Sequence, residues 1–430
     1  MQRLGVIGAG HVGLVTAAVF ADLGNRVICQ DSDRRKINKL RRGGVPIYEP
    51  GLSSLIKKNT KAKRLLFTHS LSEIVNKSFI IFICVGTPPR ENGSADLSSV
   101  ENVARRIAQS MKEYKIIVSK STVPVETGEW IRRTILMHNR HKVEFSIASN
   151  PEFLREGSAI EDTLCPDRIV LGVEDNKAEK IMRELFKPIK APIVVTNINT
   201  AEMIKHASNS FLATKISFIN AVAHLCDKVG ADVTKVADGM GLDKRIGRAF
   251  LDAGAGFGGF CFPKDLEAFI YIAKKAGYDF GLIRETARIN REQKQFLLKK
   301  IEEAVWIIPG KTIGVLGLSF KPNTDDIRFS VSIDVIKMLQ KEGAKIKAYD
   351  PQAIPEAKKE LKNVGFCKNS YEAARNSDCL LIMTEWDEFR NLDLVKIKKL
   401  LRQPVIVDGR NIFEPAQMAK LGFIYKCIGR

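Results

Sequence analysis

A glycine-rich segment in the middle of the chain ends in residues that can do covalent chemistry. Its sequence is Gly254-Ala-Gly-Phe-Gly-Gly-Phe-Cys261-Phe-Pro-Lys264-Asp265, with four glycines in six residues. Glycines at this density predict backbone conformations, or a close ligand approach, that larger residues would prevent. A thiol followed by a cation and a carboxylate predicts an activated nucleophile. A glycine-rich turn around a packed cysteine is the alternative that these residues alone leave open.

A second glycine-rich segment, near the N-terminus, has the spacing of a dinucleotide-binding turn. The segment Gly8-Ala9-Gly10-His11-Val12-Gly13 follows an apolar strand and opens a helical pattern, and Asp31 closes the next strand. Gly8 permits the tight turn, Gly10 lets the backbone approach a pyrophosphate, and Gly13 allows close helix–strand packing. The pyrophosphate is expected at the helix N-terminus. Asp31 should accept the adenosine ribose hydroxyls and repel a ribose phosphate, which predicts NAD rather than NADP.

Two further pairs of polar residues stand four positions apart. Lys205 and Asn209 fall on one face of a long helical pattern, where an ammonium and an amide could hold an oxyanion. Glu152 and Glu156 follow an apolar strand. For both pairs the common alternative is a solvated helix face or a pair of acids at a helix start.

Alternating strands and helices should position the N-terminal residues. Near-continuous apolar runs bounded by turns and separated by helical stretches are typical of a parallel sheet covered on both faces. They predict a doubly wound, NAD-binding Rossmann-like domain over residues 1–198. The predicted strands lie at 4–9, 26–31, 80–85, 115–120 and 145–149.

The rest of the chain divides into a helical part and a second sheet. One long helix is predicted from Thr200 to about Val229, then a shorter helix, the glycine-rich loop and helical segments to about Ile307. Residues 199–308 are therefore expected to form a central helical domain that carries the cysteine loop and the dimer interface. Strands in TIGVLGLSF, AKIKAYDP, CLLIMTEW and PVIVDGRN predict a second Rossmann-like domain over 309–430. The predicted fold class is α/β, with two doubly wound domains joined by a long-helix domain.

The C-terminal sheet repeats one feature of the first. Asp350 closes its second strand much as Asp31 does. Because only Gly314 and Gly317 remain of the three-glycine pattern, we expect this domain to hold a different ligand.

Composition excludes several classes of protein. The net charge of +19 invites a nucleic-acid-binding role, but the cations are spread along the chain and aromatics are only 7%. Binding of several phosphates explains part of the excess. Eight scattered cysteines without a C-x-x-C pair predict neither a metal site nor a disulfide framework. A cytoplasmic protein without a membrane span is expected, because no signal-peptide pattern and no run of about 18 apolar residues occurs.

The segment GFGGFCFPKD, together with matching segments in the right order along essentially the whole chain, resembles the UDP-glucose/GDP-mannose dehydrogenase family. The matching segments are VGTP at 85–88, STVP at 121–124, NPEFLREG at 150–157, EMIKHASNSFLATKISFIN at 202–220, FKPNTDDIR at 320–328 and DGR at 408–410. The resemblance implies NAD-dependent oxidation of the primary alcohol of UDP-glucose to a carboxylate. It implies that Cys261 attacks an aldehyde intermediate, and it assigns further catalytic roles to Lys205, Asn209, Asp265, Glu152 and Thr122.

The resemblance also implies two sets of binding residues. Those expected at the cofactor are Gly8, Gly10, His11, Val12, Gly13, Asp31, Lys36, Thr87, Thr122, Glu156, Lys264 and Arg328. Those expected at the nucleotide sugar are Glu152, Phe153, Leu154, Lys205, Asn209, Arg245, Phe257, Gly258, Lys321 and Arg410. In the family, the arginine that Arg245 matches reaches the neighbouring subunit's substrate, which implies a homodimer.

Three residues depart from the common pattern of the family, and three other functions stay open. Phe260 replaces a small residue before the cysteine, His206 replaces a frequent tyrosine, and Ala221 replaces a frequent acid. Within the enzyme class, the alternative substrates are GDP-mannose and an N-acetylated UDP-hexosamine. Outside it, the alternatives are a catalytically silent nucleotide-sugar sensor and a nucleic-acid-binding protein.

Overall fold

A computed structural model describes all residues, from Met1 to Arg430. The chain forms two compact units, and each contains one sheet. Residues 1–208 and 267–278 make up the first unit, and residues 209–266 and 279–430 make up the second. The expected boundaries near residues 198 and 308, which divide the chain into three parts, remain a prediction.

The first unit is built on an eight-stranded sheet in the order β3-β2-β1-β4-β5-β6-β7-β8. Its strands are β1 (Arg3–Ile7), β2 (Arg26–Gln30), β3 (Leu65–Thr68), β4 (Ile80–Ile83), β5 (Lys115–Ser119), β6 (Phe145–Ser149), β7 (Ile169–Val173) and β8 (Ile193–Thr196). All five strands predicted for this part are present. The sequence did not predict β3, β7 and β8. The sheet is parallel, as predicted, except between β6 and β7, which pair antiparallel.

Helices cover both faces of this sheet. They are α1 (His11–Asp22), α2 (Arg34–Arg41), α3 (Leu52–Lys61), α4 (Leu71–Lys77), α5 (Ser98–Ser110), α6 (Thr127–His138), α7 (Ala159–Leu164) and α8 (Asn176–Phe186). Alternate residues of one strand enter two different cores: Ile80 and Phe82 of β4 pack on one face, and Ile81 and Ile83 on the other. This explains why the strands read as continuous apolar runs rather than as alternating patterns.

The middle of the chain is helical, as predicted. The helices are α9 (Ile198–Val229), α10 (Val233–Gly241), α11 (Cys261–Lys275) and α12 (Gly281–Val305). Helix α9 has 32 residues and covers the predicted long helix from Thr200. Cys261 was expected on a loop, but it is the first residue of α11. No helix of the protein is long and apolar enough to cross a membrane.

The second unit contains a six-stranded sheet whose pairs are all parallel, in the order β11-β10-β9-β12-β13-β14. Its strands are β9 (Thr312–Leu316), β10 (Lys345–Tyr349), β11 (Val364–Phe366), β12 (Cys379–Ile382), β13 (Val405–Asp408) and β14 (Ile424–Cys427). Its helices are α13 (Val331–Lys341), α14 (Ile354–Glu360), α15 (Ser370–Ala374), α16 (Asp387–Arg390), α17 (Leu394–Leu400) and α18 (Pro415–Lys420). The four predicted strands are present, and the two edge strands β11 and β14 were not predicted.

Candidate active site

The N-terminal glycine segment forms a tight turn between β1 and α1. Gly8 has φ +103°, and a Cβ there would lie 2.5 Å from the Cys84 carbonyl oxygen. A Cβ at Gly13 would lie 1.8 Å from the Gly8 carbonyl oxygen, so α1 can approach the strand only with glycine there. A Cβ at Gly10 meets no atom within 4 Å. The open space beside Gly10, at the first turn of α1, fits a pyrophosphate.

Asp31 lies just after β2 and is held by three donors. Its carboxylate accepts from the backbone N–H groups of Ala9 and Asp33, at 2.8 and 2.9 Å, and from Lys36 Nζ at 3.0 Å. Burial alone would raise the pKa of Asp31, but these hydrogen bonds outweigh it and the pKa is lowered. Asp31 is therefore ionised at neutral pH, with acceptor capacity left for a ribose.

Hydrogen bonds join the loops that follow β4 and β5. The Thr87 hydroxyl donates to the Thr122 carbonyl oxygen at 2.9 Å, and the Ser121 hydroxyl donates to the Val85 carbonyl oxygen at 2.6 Å. Two residues expected at the cofactor, Thr87 and Thr122, are thus in direct contact.

A buried glutamate that the sequence did not single out connects the glycine segment to residues 157–159. Glu49 Oε2 lies 2.6 Å from His11 Nε2 and accepts from the Gly157 N–H at 2.7 Å, and Oε1 accepts from the Ala159 N–H at 2.8 Å. The Glu49 side chain is 1% exposed. Because an unpaired buried carboxylate is costly, all three donors are needed, and they fix His11 relative to the segment that begins at Glu152.

Lys205 and Glu152 form a buried ion pair in the first unit. Lys205 Nζ lies 3.1 Å from Glu152 Oε1, and both side chains are less than 10% exposed. The other carboxylate oxygen of Glu152 accepts from the Leu154 N–H at 3.0 Å. Lys205 Nζ lies 5.3 Å from the centre of the Phe153 ring, and the Arg168 guanidinium lies over that ring at 3.7 Å. Four predicted site residues therefore come together here.

Two other buried residues of α9 hold the connection between Thr122 and α6, and the sequence assigned them no role. His206 Nε2 lies 2.8 Å from the Val123 carbonyl oxygen, and Glu202 Oε1 accepts from the Gly128 N–H at 2.9 Å. Burial raises the pKa of Glu202 to about 8. With Lys205 and Asn209, these residues stand at 202, 205, 206 and 209, so one face of α9 is polar and buried.

In the second unit, a buried chain of hydrogen bonds joins three predicted residues. Asn209 Nδ2 donates to Asp265 Oδ2 at 2.6 Å, and Lys264 Nζ donates to Asp265 Oδ1 at 2.6 Å. All three are at most 6% exposed. Lys264 and Asp265 lie near the start of α11, shortly after Cys261, and Asn209 lies one helical turn after Lys205 in α9. These hydrogen bonds therefore link α11 to the polar face of α9.

The eight cysteines differ in their surroundings. Cys261 and Cys165 are exposed, and the other six are buried. Burial raises the pKa of Cys84 and of Cys379 to about 12, as expected for inert core thiols. Cys165 follows the C-terminus of α7, whereas Cys261 opens α11. The partial positive charge at a helix N-terminus favours a thiolate, so Cys261 is the candidate nucleophile.

The cysteine segment packs tightly against residues 320–329. A Cβ at Gly258 would lie 2.3 Å from the Phe329 carbonyl oxygen. The Arg328 guanidinium lies over the Phe260 ring at 4.3 Å, and Lys264 Nζ lies 5.6 Å from that ring. Two of the cations expected at the cofactor, Lys264 and Arg328, thus lie near the ring of Phe260, the unusual residue before the cysteine.

The remaining predicted substrate residues lie in several places in the second unit. Arg410 donates to the Met383 carbonyl oxygen at 2.8 Å and lies 3.3 Å from the Gly256 carbonyl oxygen. The buried Phe257 donates its N–H to Asn290 Oδ1 at 2.8 Å. Lys321 Nζ lies 6.0 Å from the Phe320 ring, and Arg245, paired with Asp243, is 89% exposed.

Each sheet has an aspartate just after its second strand, and the two aspartates differ in their hydrogen bonds. Asp350 accepts from the N–H groups of Leu318, Ser319, Gln352 and Ala353 and from the Ser319 hydroxyl. Asp31 accepts from three donors and Asp350 from five, and Asp350 is 2% exposed. Its hydrogen-bonding capacity is filled, so it holds the turn after β9 and does not offer an acceptor to a ligand.

A glycine turn at a helix N-terminus and an ionised aspartate after the second strand are the features of an NAD-dependent dehydrogenase. Three models of the UDP-glucose/GDP-mannose dehydrogenase family match the chain: the NAD binding domain at 2–190, the central domain at 199–292 and the UDP binding domain at 314–415. The chain belongs to this family. NAD is its cofactor, as the sequence predicted.

Relatives and solved structures agree with this assignment. A UDP-glucose 6-dehydrogenase of Bacillus subtilis is 50% identical over 100% of this chain and 94% of its own. One of Rhizobium meliloti is 46% identical over 100% of both chains. The structure of a UDP-glucose dehydrogenase from Pyrobaculum islandicum has a TM-score of 0.93 at 39% identity, covering 99% of this chain and 97% of its own. That of a UDP-D-ManNAc dehydrogenase from Pyrococcus horikoshii has 0.88 at 29% identity, covering 100% and 99%.

Proposed function

We propose that this protein oxidises UDP-glucose to UDP-glucuronate in two successive oxidations, the second of which takes place on a covalent adduct of Cys261. The observation that carries the proposal is the buried Asn209–Asp265–Lys264 chain of hydrogen bonds, which joins α9, one turn after Lys205, to α11, the helix that begins at the exposed Cys261. The choice of sugar is supported by relatives of 46–50% identity that are named UDP-glucose 6-dehydrogenase.

In the first step, Lys205 and Asn209 stabilise the oxyanion that forms as the primary alcohol loses its proton. Asp265 accepts from Asn209 and Lys264 and so orients both groups, together with a water molecule at the site. Bound NAD, held at the Gly8–Gly13 turn and at Asp31, supplies the hydride acceptor for each oxidation. The product of this step is an aldehyde.

In the second step, the Cys261 thiolate attacks the aldehyde carbon and forms a thiohemiacetal, whose C–H bond is the donor of the second hydride. The result is a thioester on Cys261. Water, assisted by Glu152, adds to the thioester carbonyl, the carbon–sulfur bond breaks, and the carboxylate leaves with the thiol restored. For each sugar, two hydrides pass to two molecules of NAD and one water is consumed.

A panel of nucleotide sugars, assayed for NADH formation with the purified enzyme, tests the proposal. We expect UDP-glucose to give the highest kcat/KM, and GDP-mannose and N-acetylated UDP-hexosamines to react far more slowly. A preference for one of the other sugars would assign the enzyme to that substrate. No NADH with any sugar, combined with tight binding of UDP, would instead indicate a sensor.

Asp31 predicts the choice of cofactor. A ribose phosphate would meet its ionised carboxylate, so kcat/KM should favour NAD over NADP by well over tenfold. An Asp31→Ala change removes the repulsion but leaves Lys36 in place and Arg34 and Arg35 nearby, which should relax the preference or reverse it. Steady-state kinetics with both cofactors measures this. Equal kcat/KM values for the native enzyme would exclude the role assigned to Asp31.

We propose that the protein is a homodimer that pairs through α9. This helix exposes large apolar side chains at heptad spacing: Phe211 is 66% exposed, Phe218 50% and Leu225 59%. Such a stripe on one helix is typical of a surface that a second copy covers. We propose further that the exposed Arg245 reaches the partner's substrate.

Co-expression of two inactive variants tests both parts. A dimer of one Arg245→Ala and one Cys261→Ala subunit contains one complete site only if Arg245 acts in trans. Random pairing should then restore about one quarter of native activity. Sedimentation should find a dimer at micromolar protein, and Phe218→Asp should shift it toward monomer. A fully active monomer would contradict the dimer and the role of Arg245 together.

A further inference from the structure

Lys120 is a buried cation that the steps above do not use. It directly follows β5 and is 7% exposed. Its Nζ donates to Asn150 Oδ1 at 2.9 Å and lies 3.5 Å from the Asn150 carbonyl oxygen, and it forms no ion pair with a carboxylate. Lysines are almost never buried without a partner, because removing an ammonium from water is costly. The position of Lys120 therefore requires a reason.

A second buried lysine on the same strand shows how such a charge is ordinarily neutralised. Lys115 begins β5 and is 0% exposed. Its Nζ donates to the Ser78 carbonyl oxygen at 2.6 Å and to Glu113 Oε1 at 2.7 Å. Lys115 thus has its own carboxylate, and Lys120, at the opposite end of the strand, does not. The two lysines are both buried, but only Lys115 has a carboxylate in direct contact.

Three ionisable groups act electrostatically on Lys120. Two of them, Glu152 and Lys205, form the buried ion pair described above, and the third is the core thiol Cys84. Burial lowers the pKa of Lys120, the charge of Lys205 lowers it further, and Cys84 and Glu152 oppose this. Because burial raises the pKa of Cys84 to about 12, that thiol is neutral at physiological pH. Glu152 is therefore the negative group that Lys120 and Lys205 share.

We propose that Lys120 is a positioning residue that acts through Glu152 and Lys205. This inference rests on the function proposed above. With both ammonium groups charged, the cluster holds two positive charges and one negative charge before an oxyanion forms. In a buried site, such a preorganised positive charge stabilises the oxyanion more than a neutral ion pair would. Lys120 also holds Asn150, two residues before Glu152, and so helps to fix the position from which Glu152 assists the water that cleaves the thioester.

A Lys120→Met variant, which keeps the length of the side chain and removes its charge, tests the inference. Removal of a buried positive charge from the site favours protonation there, so the acidic limb of the kcat–pH profile should move up by about one unit. At a pH on that limb, kcat should fall about tenfold, because one unit corresponds to a factor of ten. The KM for NAD should not change. Lys120→Arg keeps the charge and should restore the native profile.

Lys115→Met is the matched control, because it removes an equally buried lysine from the same strand. It should lower the melting temperature and leave the pH profile in place. If Lys120→Met does not fold, Asn150→Asp neutralises the ammonium where it stands and should shift the limb in the same direction. A native profile in Lys120→Met, or in Asn150→Asp if only that variant folds, would overturn the inference. The native enzyme, assayed alongside, tests the proposed function separately by forming NADH.

Discussion

A Cys261→Ser enzyme should form at most about one NADH per active site from UDP-glucose and then stop, whereas the native enzyme should form two NADH for each sugar consumed. Serine preserves the shape of the first residue of α11 and its exposure to the site. Its hydroxyl is a weak nucleophile toward the aldehyde, and an oxygen ester would release the carboxylate slowly. The first oxidation needs neither property, but the second needs both.

Rapid mixing with absorbance detection of NADH measures this expectation, and product analysis gives the stoichiometry. Cys165→Ser is the matched control, because Cys165 is the other exposed cysteine and follows the C-terminus of a helix. It should retain native rates. If Cys261→Ser turned over at a near-native rate with two NADH per sugar, the covalent mechanism would be wrong.

Removing the charge of Lys205 should produce a different failure. A Lys205→Met enzyme should lose a factor of about 10²–10³ in kcat, because stabilisation of the oxyanion is lost before any thiol is needed. No rapid first NADH should appear, in contrast to Cys261→Ser. The variant also leaves the buried Glu152 carboxylate with its hydrogen bond from the Leu154 N–H but without its ion-pair partner, so a lower melting temperature is expected too.

Single-turnover kinetics with enzyme in excess separates the two variants. Lys228→Met, in the last turn of the same helix, is the control, because this lysine is exposed. It should leave both hydride transfers unchanged. If Lys205→Met had a native first step and a slow second step, Lys205 would act in the hydrolysis and not in the oxidation of the alcohol.

The sequence predicted most of the strands that are buried on both faces, since their apolar runs are continuous, but it missed the buried strand β7. It did not predict β3 and β8, whose short runs include the exposed residues Leu66 and Val194, because edge strands carry a weaker apolar signal. The antiparallel pairing of β7 has no local signal, since side-chain periodicity is the same in both pairing directions. The start of α11 at Cys261 did have a local signal in the sequence. Pro263 fits the first turn of a helix, because the N–H that proline lacks makes no hydrogen bond there.

The candidate site was predictable where residue types form local motifs and not where single residues bond across the chain. Glu49 holds residues that are 38, 108 and 110 positions away, and Glu202 holds one that is 74 away. Two of these three partners of Glu49, and the partner of Glu202, are backbone N–H groups, which leave no mark in the sequence. The role proposed for Lys120 could not be predicted for a related reason, because its burial without an ion-pair partner is a property of the folded chain.

The contrast between Asp31 and Asp350 bears on how roles are transferred within duplicated folds. Both aspartates lie at the end of the second strand of their sheet, so an alignment of the two Rossmann-like parts would assign them the same role. Their count of donors separates them: Asp31 has acceptor capacity left for a ligand, and Asp350 is saturated by the turn that it holds. In this protein, hydrogen-bond saturation therefore distinguishes two residues that share residue type and place in the topology.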